Sequence, residues 1–312
     1  MKEQEKQNAT SPCYYGDIGN FGSNAQQPAS ERKYTIFQSL WTKPFDNKDR
    51  LRDTLYIAAL SLYFAHRSGY KVHMHTDTKG AALLKNFGYE KLLTTLNEIP
   101  DTVPTELFAA GKFFAMKAEG VTGKIHIDVD VFIKKAGLLD VFYTDKNVDA
   151  ICQQEEDFER VCNHDDKIRP MHILGYPATS RPNWRGSMNV GVIGFNNPVL
   201  GNKYVDNYFE ALKFYTVEKF KKYKEEDKDA CLWLDFILEQ VNLSYMSLGH
   251  NVVVLLPTNN PGYVANKIGY QHLQGSGKWT SAKQEQIKAT LIKLDGRLLR
   301  AANEAVRNIS LK

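Results

Sequence analysis

The strongest constraint on the fold is an alternation of strand-like and helix-like segments in the first half of the chain. Three segments are rich in β-branched and aromatic residues: 34–41, 70–77 and 124–133. Two segments repeat apolar residues at helical spacing: 50–69 and 106–120. This order is typical of a sheet with parallel neighbours and helices on its faces. The sequence therefore predicts an α/β fold, a mixed sheet flanked by helices, with strands at Tyr34–Leu40 and Lys124–Asp128.

The composition is that of a globular protein with one large domain. The chain has 312 residues, of which 43% are hydrophobic and 24% charged, so it can bury a sizeable core. Residues 1–31 are rich in Gln, Asn, Ser and Gly, and we interpret them as a weakly structured N-terminal extension. Residues 32–312 are then expected to form a single domain. The net charge of +4 from 40 basic and 36 acidic residues does not indicate nucleic-acid binding.

The cysteines and the N-terminus favour a cytoplasmic location. Cys13, Cys152, Cys162 and Cys231 show no CxxC spacing, and we interpret them as reduced thiols. The first twelve residues are polar, and no run of 18 apolar residues occurs in the sequence. A closing helix is predicted over residues 281–308. Its basic residues are interpreted as a solvated face, with binding to a membrane surface as the alternative: Lys283, Lys288, Lys293, Arg297 and Arg300.

Two carboxylates interrupt a segment that otherwise has the composition of a buried strand. In KIHIDVDVFI, residues 124–133, Asp128 and Asp130 stand two positions apart. In an extended chain such residues point to the same side, and their charges repel unless a cation lies between them. Oxygen ligands of this kind suit Mg²⁺ or Mn²⁺ with a bound diphosphate. The alternative interpretation is a strand end that has reached solvent.

A glycine-rich segment near the C-terminus has a second set of ligand-type residues. In HLQGSGKW, residues 272–279, a neutral His272 can bind a transition metal, and Gly275 can present its backbone N–H to phosphate. Lys278 can neutralise a phosphate oxygen. Alone, the segment is equally well explained as a surface turn. Together with the acidic pair it predicts a site for a metal and a diphosphate.

The order of these motifs resembles that of GT-A-fold glycosyltransferases. Asp-Val-Asp at 128–130, Asn-Val-Gly-Val at 189–192 and His-x-x-Gly-x-x-Lys at 272–278 follow one another as in glycosyltransferase family 8. The resemblance implies a GT-A-like domain that uses Mn²⁺ or Mg²⁺. It also implies transfer of a sugar, with retention, from a nucleotide-sugar, a UDP-sugar in most of that family, to a saccharide or another hydroxyl acceptor.

The resemblance also implies roles for individual residues in binding the donor. Metal binding is implied for Asp128, Asp130 and His272, and binding of the nucleotide-sugar for Lys112, Asp128, Gly275 and Lys278. One departure is Trp279, which follows the signature lysine where the family commonly has proline.

Three residues are implied to lie near the reacting sugar. Asn189 is expected beside the transferred sugar. Asp227 and Asp229 best match the family's Asp-Gln-Asp element, although Lys228 stands in place of the glutamine. The alternative for this charged segment is a solvated helix start with Asp229 as its N-cap.

Two other functions compete with sugar transfer. A hydrophobic strand followed by Asp-x-Asp also resembles phosphatases of the haloacid dehalogenase type, with Asp128 as nucleophile and Asp130 as general acid. That class should show a later Gly-Asp-x-x-x-Asp element, and none follows Asp130 here. A GT-A-like domain that binds a nucleotide-sugar or glycan without transfer is the second competitor, and Lys228 is the feature that favours it.

Overall fold

The computed structural model describes residues 33–45, 47–157, 186–215, 217–226, 234–256 and 261–310. The predicted N-terminal extension lies outside these residues. So do Asp227, Asp229 and three of the four cysteines. The fourth, Cys152, is a buried free thiol.

In the described residues, nine strands form a seven-stranded sheet and a separate two-stranded sheet. They are β1 (Tyr34–Leu40), β2 (Tyr70–Thr76), β3 (Lys91–Leu93), β4 (Lys124–Ile127), β5 (Val131–Ile133), β6 (Ala150–Asp157), β7 (Gly186–Phe195), β8 (Val252–Leu256) and β9 (Tyr270–His272). The large sheet has the order β3-β2-β1-β4-β7-β6-β8, and the small one pairs β5 with β9. The first four strands of that order are parallel, β7 runs antiparallel to both neighbours, and β8 is parallel to β6.

Within the described ranges, ten helices surround the sheet. They are α1 (Lys48–Arg67), α2 (Thr78–Leu84), α3 (Ala110–Glu119), α4 (Asp140–Thr144), α5 (Pro198–Phe214), α6 (Val217–Glu226), α7 (residues 234–246), α8 (Pro261–Ile268), α9 (Ser281–Leu294) and α10 (Gly296–Ser310). Local sequence explains several ends. The Asn47 side chain caps α1 by accepting from the Asp49 N–H at 2.8 Å, and Gly120 follows α3 with φ of +83°.

The core lies on both faces of the large sheet, because neighbouring residues of a strand point to opposite sides. In β1, Ile36 packs in the cluster that contains α1 and the C-terminal helices, whereas Phe37 packs in the cluster that contains α3 and α5. The mixed sheet flanked by helices confirms the predicted single α/β domain.

Two predicted boundaries and one predicted exposure need correction. Strand β4 ends at Ile127, one residue earlier than predicted, because the chain turns at Val129 and Asp130. The predicted closing helix is interrupted at Asp295 and becomes α9 and α10. On α9, Lys283 is buried rather than part of a solvated face.

None of the helices in the described ranges is long and apolar enough to cross a membrane.

Candidate metal and diphosphate site

The two carboxylates of the acidic pair meet through a tight turn. The Val131 N–H donates to the Asp128 carbonyl at 3.0 Å, so residues 128–131 form a turn between β4 and β5. The Asp128 N–H donates to the Gly191 carbonyl at 2.9 Å and ties this turn to β7. The expectation that the side chains converge was right, but strand alternation is not the reason. The turn that follows the carboxyl end of β4 brings both carboxylates close together.

The small sheet brings His272 to this turn from 142 positions further along the chain. Val131 pairs with His272 in the antiparallel β5-β9 ladder, and the Leu273 N–H donates to the Asp130 carbonyl at 3.0 Å. One ligand atom from each of Asp128, Asp130 and His272 lies within 4.8 Å of the others. The structure thus brings together the three residues for which the sequence analysis predicted metal binding.

Asp130 is the most confined carboxylate of the three. Its side chain is 10% exposed, with Oδ2 at 2.5 Å from the Lys278 Nζ and Oδ1 at 3.2 Å from the His272 Nε2. Burial by itself raises the pKa of a carboxyl group. The Lys278 ammonium and His272 outweigh burial and hold the pKa of Asp130 well below its usual range. Asp130 is therefore an anion that needs a positive neighbour.

His272 is oriented by a buried glutamine. The Gln153 Oε1 lies 2.7 Å from the His272 Nδ1, and it accepts from the Tyr270 hydroxyl at 2.7 Å. If Nδ1 carries the proton, Nε2 is the nitrogen that can bind a metal, and it is the one beside Asp130. A Cβ at Gly191 would lie 2.4 Å from the Gln153 Oε1 and 2.7 Å from the His272 Nδ1, so a larger residue at this position of β7 would force these side chains or the strand to move.

Lys112 supplies a fixed positive charge behind Asp128. Its side chain is 7% exposed, and its Nζ contacts the Asp128 Oδ1 at 2.9 Å, the Glu239 Oε1 at 2.5 Å and the Val190 carbonyl at 3.0 Å. Burial lowers the pKa of a lysine, but the two carboxylates reverse this and raise the pKa of Lys112 above its ordinary value. Its three donors thus point at protein acceptors in this structure, and its predicted contact with a donor substrate stays a prediction.

Two buried acids stand on one irregular helix beside Lys112. Residues 237–241 of α7 form a π-helical turn that carries Glu239, and such turns occur frequently at functional sites. Asp235 is 2% exposed and accepts from the Ala109 N–H at 2.8 Å and the Tyr208 hydroxyl at 3.0 Å. Burial and the nearby Glu239 raise the pKa of Asp235 to about 8.

The glycine-rich segment forms a short 3₁₀ helix over Ser276–Trp279. Gly275 precedes it with φ of +69°, which favours glycine. The Lys278 carbonyl accepts from the Gln284 side chain at 2.6 Å, which fixes the backbone to α9. The Lys278 ammonium lies beside Asp130 and 4.8 Å from the centre of the Trp279 ring. The loop and the acidic turn are therefore one site.

Asn189, the predicted neighbour of the transferred sugar, is 6% exposed on β7. Its Oδ1 accepts from the Gly191 N–H at 3.1 Å, and its Nδ2 donates to Glu156 at 3.1 Å. Asp227 and Asp229 lie outside the described residues, so their catalytic role stays a prediction.

Sequence analysis missed two polar residues of this site. Glu239 stands in the apolar run FILEQV and Gln153 in the strand AICQQEED, where buried polar groups need partners. The apolar residues around Glu239 and Gln153 predict that both side chains are buried. Their partners, Lys112 and His272, lie far away in sequence and could not be predicted.

The protein is thus an α/β domain that carries an Asp-Asp-His cluster at the carboxyl end of a central strand, β4. Residues 34–295 match the family of unknown function DUF6734, and the chain belongs to that family. No curated protein matches the sequence significantly.

Several solved structures similar to this chain are glycosyltransferases. GlyE from Streptococcus pneumoniae TIGR4 has 13% identity and a TM-score of 0.41, with 88% of this chain and 64% of GlyE covered. The galactosyltransferase LgtC, in complex with donor and acceptor sugar analogues, has 13% identity and a TM-score of 0.41, with 84% and 96% covered. Glucosyl-3-phosphoglycerate synthase from Mycobacterium tuberculosis, with Mg²⁺ and UDP, has 11% identity and a TM-score of 0.32, with 86% and 80% covered. The chain thus spans about two thirds of GlyE, and at these values the function has to be argued from the site.

Proposed function

We propose that this protein is a metal-dependent glycosyltransferase that moves a sugar from a nucleotide-sugar, a UDP-sugar in the first instance, to a hydroxyl of a saccharide acceptor. The observation that carries the proposal is the meeting of Asp128, Asp130 and His272, within 4.8 Å, beside a lysine on a glycine-rich loop. Four charged or ligating groups from distant segments converge at the end of β4, where α/β folds bind ligands.

The donor atoms fit a divalent metal. Two carboxylates and an imidazole nitrogen are ligands that Mn²⁺ accepts, and Mg²⁺ is the alternative if His272 stays outside the coordination shell. Asp128 and Asp130 carry two negative charges, and Lys112 and Lys278 are the lysines that contact them. A bound cation would stabilise the negative charge that develops on the departing nucleoside diphosphate.

The residues of the chain have separate tasks in this proposal. Lys112 holds Asp128 in place from the buried side, and Gln153 orients His272. Lys278 and the backbone at Gly275 bind the diphosphate, where a positive charge acts on the leaving group. Retention of configuration and a cytoplasmic location belong to the same proposal, with Asn189, Asp227 and Asp229 assigned to the sugar.

The phosphatase hypothesis agrees less well with the geometry. A general acid must carry a proton, whereas Lys278 and His272 hold the pKa of Asp130 well below its usual range despite burial. Asp128, the nucleophile in that hypothesis, is engaged by Lys112 at 2.9 Å.

The test is a donor screen with metal control. UDP-, GDP- and CMP-sugars are incubated with the protein, a mixed saccharide acceptor and Mn²⁺, Mg²⁺ or EDTA, and release of the leaving nucleotide (UDP, GDP or CMP) is measured. We expect UDP release with a UDP-sugar and Mn²⁺ and none with EDTA. A sugar phosphate is incubated in parallel, and release of inorganic phosphate from it would support a phosphatase. Saturable binding of a nucleotide-sugar without release would support a pure binding protein.

Matched variants connect this activity to the site. Asp130→Asn and His272→Ala should lower metal affinity and turnover by about 100-fold or more, since each removes a ligand. Asp101→Asn and His250→Ala make the same chemical changes away from the site, in the Lys43–Asp101 and Asp149–His250 pairs. These controls should keep full activity. Equal activity of Asp130→Asn and Asp101→Asn would refute the assignment.

A further inference from the structure

The Lys278 ammonium occupies a position beside the Asp130 carboxylate that a bound cation would also need. Its Nζ lies 2.5 Å from Oδ2, and the other oxygen, Oδ1, faces the His272 Nε2 at 3.2 Å. Both oxygens of this carboxylate therefore have a partner within the protein. A metal between Oδ1 and the His272 Nε2 would replace their contact, whereas a metal that takes Oδ2 as its ligand competes directly with Lys278.

The two lysines of the site differ in how firmly they are held. Lys112 has three acceptors and a side chain that is 7% exposed. Lys278 has one carboxylate partner among the described residues, and its side chain is 19% exposed. Its backbone is anchored through the Gln284 bond, but four rotatable side-chain bonds allow the ammonium to move several ångströms. Lys278 is the movable cation and Lys112 the fixed one.

We propose that Lys278 is an internal competitor for the metal site, and that its release from Asp130 couples metal binding to diphosphate binding. This inference rests on the proposed function. A metal ion that takes the Asp130 Oδ2 displaces the Lys278 ammonium, which then needs a new anion, and the diphosphate provides one. A diphosphate that captures Lys278 in turn frees the carboxylate for the metal. The coupling is reciprocal, because each ligand raises the affinity of the site for the other.

The proposal predicts effects of opposite sign for one substitution. Lys278→Met removes the competitor, so it should tighten binding of Mn²⁺ alone by about tenfold, within the usual range of coupling between sites. The same variant should weaken UDP binding at saturating Mn²⁺ by about tenfold or more, since a charge-assisted contact is lost. A lysine that only binds phosphate would leave the affinity for Mn²⁺ alone unchanged.

Lys278→Arg separates competition for Asp130 from simple charge repulsion. Arginine keeps the positive charge but can bind a carboxylate through two parallel hydrogen bonds. Direct competition predicts weaker Mn²⁺ binding than in the unmodified protein. A pure effect of charge predicts no change. Lys288→Met, which removes a lysine from the surface of α9 where it pairs with Glu285, is the matched control and should change neither affinity.

The experiment is a titration of the full chain with Mn²⁺, followed by the electron paramagnetic resonance signal of free Mn²⁺, and calorimetry of UDP at fixed Mn²⁺. Circular dichroism and thermal unfolding confirm that each variant is folded. Tighter Mn²⁺ binding by Lys278→Met, weaker binding by Lys278→Arg and an unchanged Lys288→Met support the proposal. Normal Mn²⁺ binding by a folded Lys278→Met overturns it while the proposed function stands. Failure of the unmodified protein to bind either Mn²⁺ or Mg²⁺, with and without UDP, overturns both.

Discussion

Replacing Gly191 with alanine should damage the metal site through a steric effect alone. An added Cβ would lie 2.4 Å from the Gln153 Oε1 and 2.7 Å from the His272 Nδ1 and Cε1. The first distance is about 1 Å shorter than an ordinary van der Waals contact, so Gln153, His272 or β7 must move by a similar amount.

The size of the effect follows from these distances. Overpacking of a buried site typically costs about 1–3 kcal/mol of unfolding free energy. Metal sites tolerate displacements of only about 0.2 Å in ligand distance, and loss of a supporting contact lowers metal affinity by about 10- to 100-fold. We therefore expect Gly191→Ala to weaken Mn²⁺ binding by about 1.4–2.7 kcal/mol in addition to its effect on stability.

A second glycine of the same strand provides the control. A Cβ at Gly194 would lie 2.8 Å from the Lys124 carbonyl and 2.9 Å from the Ile125 side chain, away from the three ligands. Gly194→Ala should lower stability by an amount similar to Gly191→Ala but keep the Mn²⁺ affinity of the folded protein. Urea unfolding measures the stability of both variants, and calorimetric titration measures their affinity. Unchanged Mn²⁺ affinity in Gly191→Ala, or an equal loss in Gly194→Ala, would refute the role assigned to Gly191.

Two further predictions concern the buried charges behind the site. Lys112→Met leaves Asp128 and Glu239 without their lysine partner and should lower the unfolding free energy by about 3–5 kcal/mol. The double variant Lys112→Met/Glu239→Gln should lower it less, because one uncompensated charge is gone. Urea unfolding of both variants measures the difference, and an equal loss of unfolding free energy would contradict the prediction. Burial and Glu239 raise the pKa of Asp235 from 3.8 to about 8. The unfolded chain therefore loses this proton near pH 4 and the folded chain near pH 8, so the stability that Asp235 contributes at acidic pH is lost as the pH rises between these values. Asp235→Asn should flatten the dependence of unfolding free energy on pH from 4 to 8, and identical slopes in the two proteins would show that Asp235 does not titrate in this way.

The sequence by itself determined the elements that local chemistry controls. β-Branched alternation specified β1, β2 and β4, because strand periodicity is visible in any single segment. The helical repeat of residues 50–69 predicted α1, although its Asn47 cap became visible only in the structure. The Asp-Val-Asp and His-x-x-Gly-x-x-Lys segments identified Asp128, Asp130 and His272 as candidate metal ligands before the fold was known, since carboxylate, imidazole and glycine in those patterns suit cations and phosphates.

Only the tertiary structure decided which distant groups meet. The pairing of Val131 with His272 joins strands that lie more than a hundred positions apart, and no local pattern specifies the partner of a strand. The burial of Lys112 between Asp128 and Glu239 was equally invisible, because a lysine on a helix is normally solvated and becomes a buried cation only when two carboxylates from other elements surround it. Residue type and local spacing determine what each segment can bind, whereas chain topology determines whether those segments form one site.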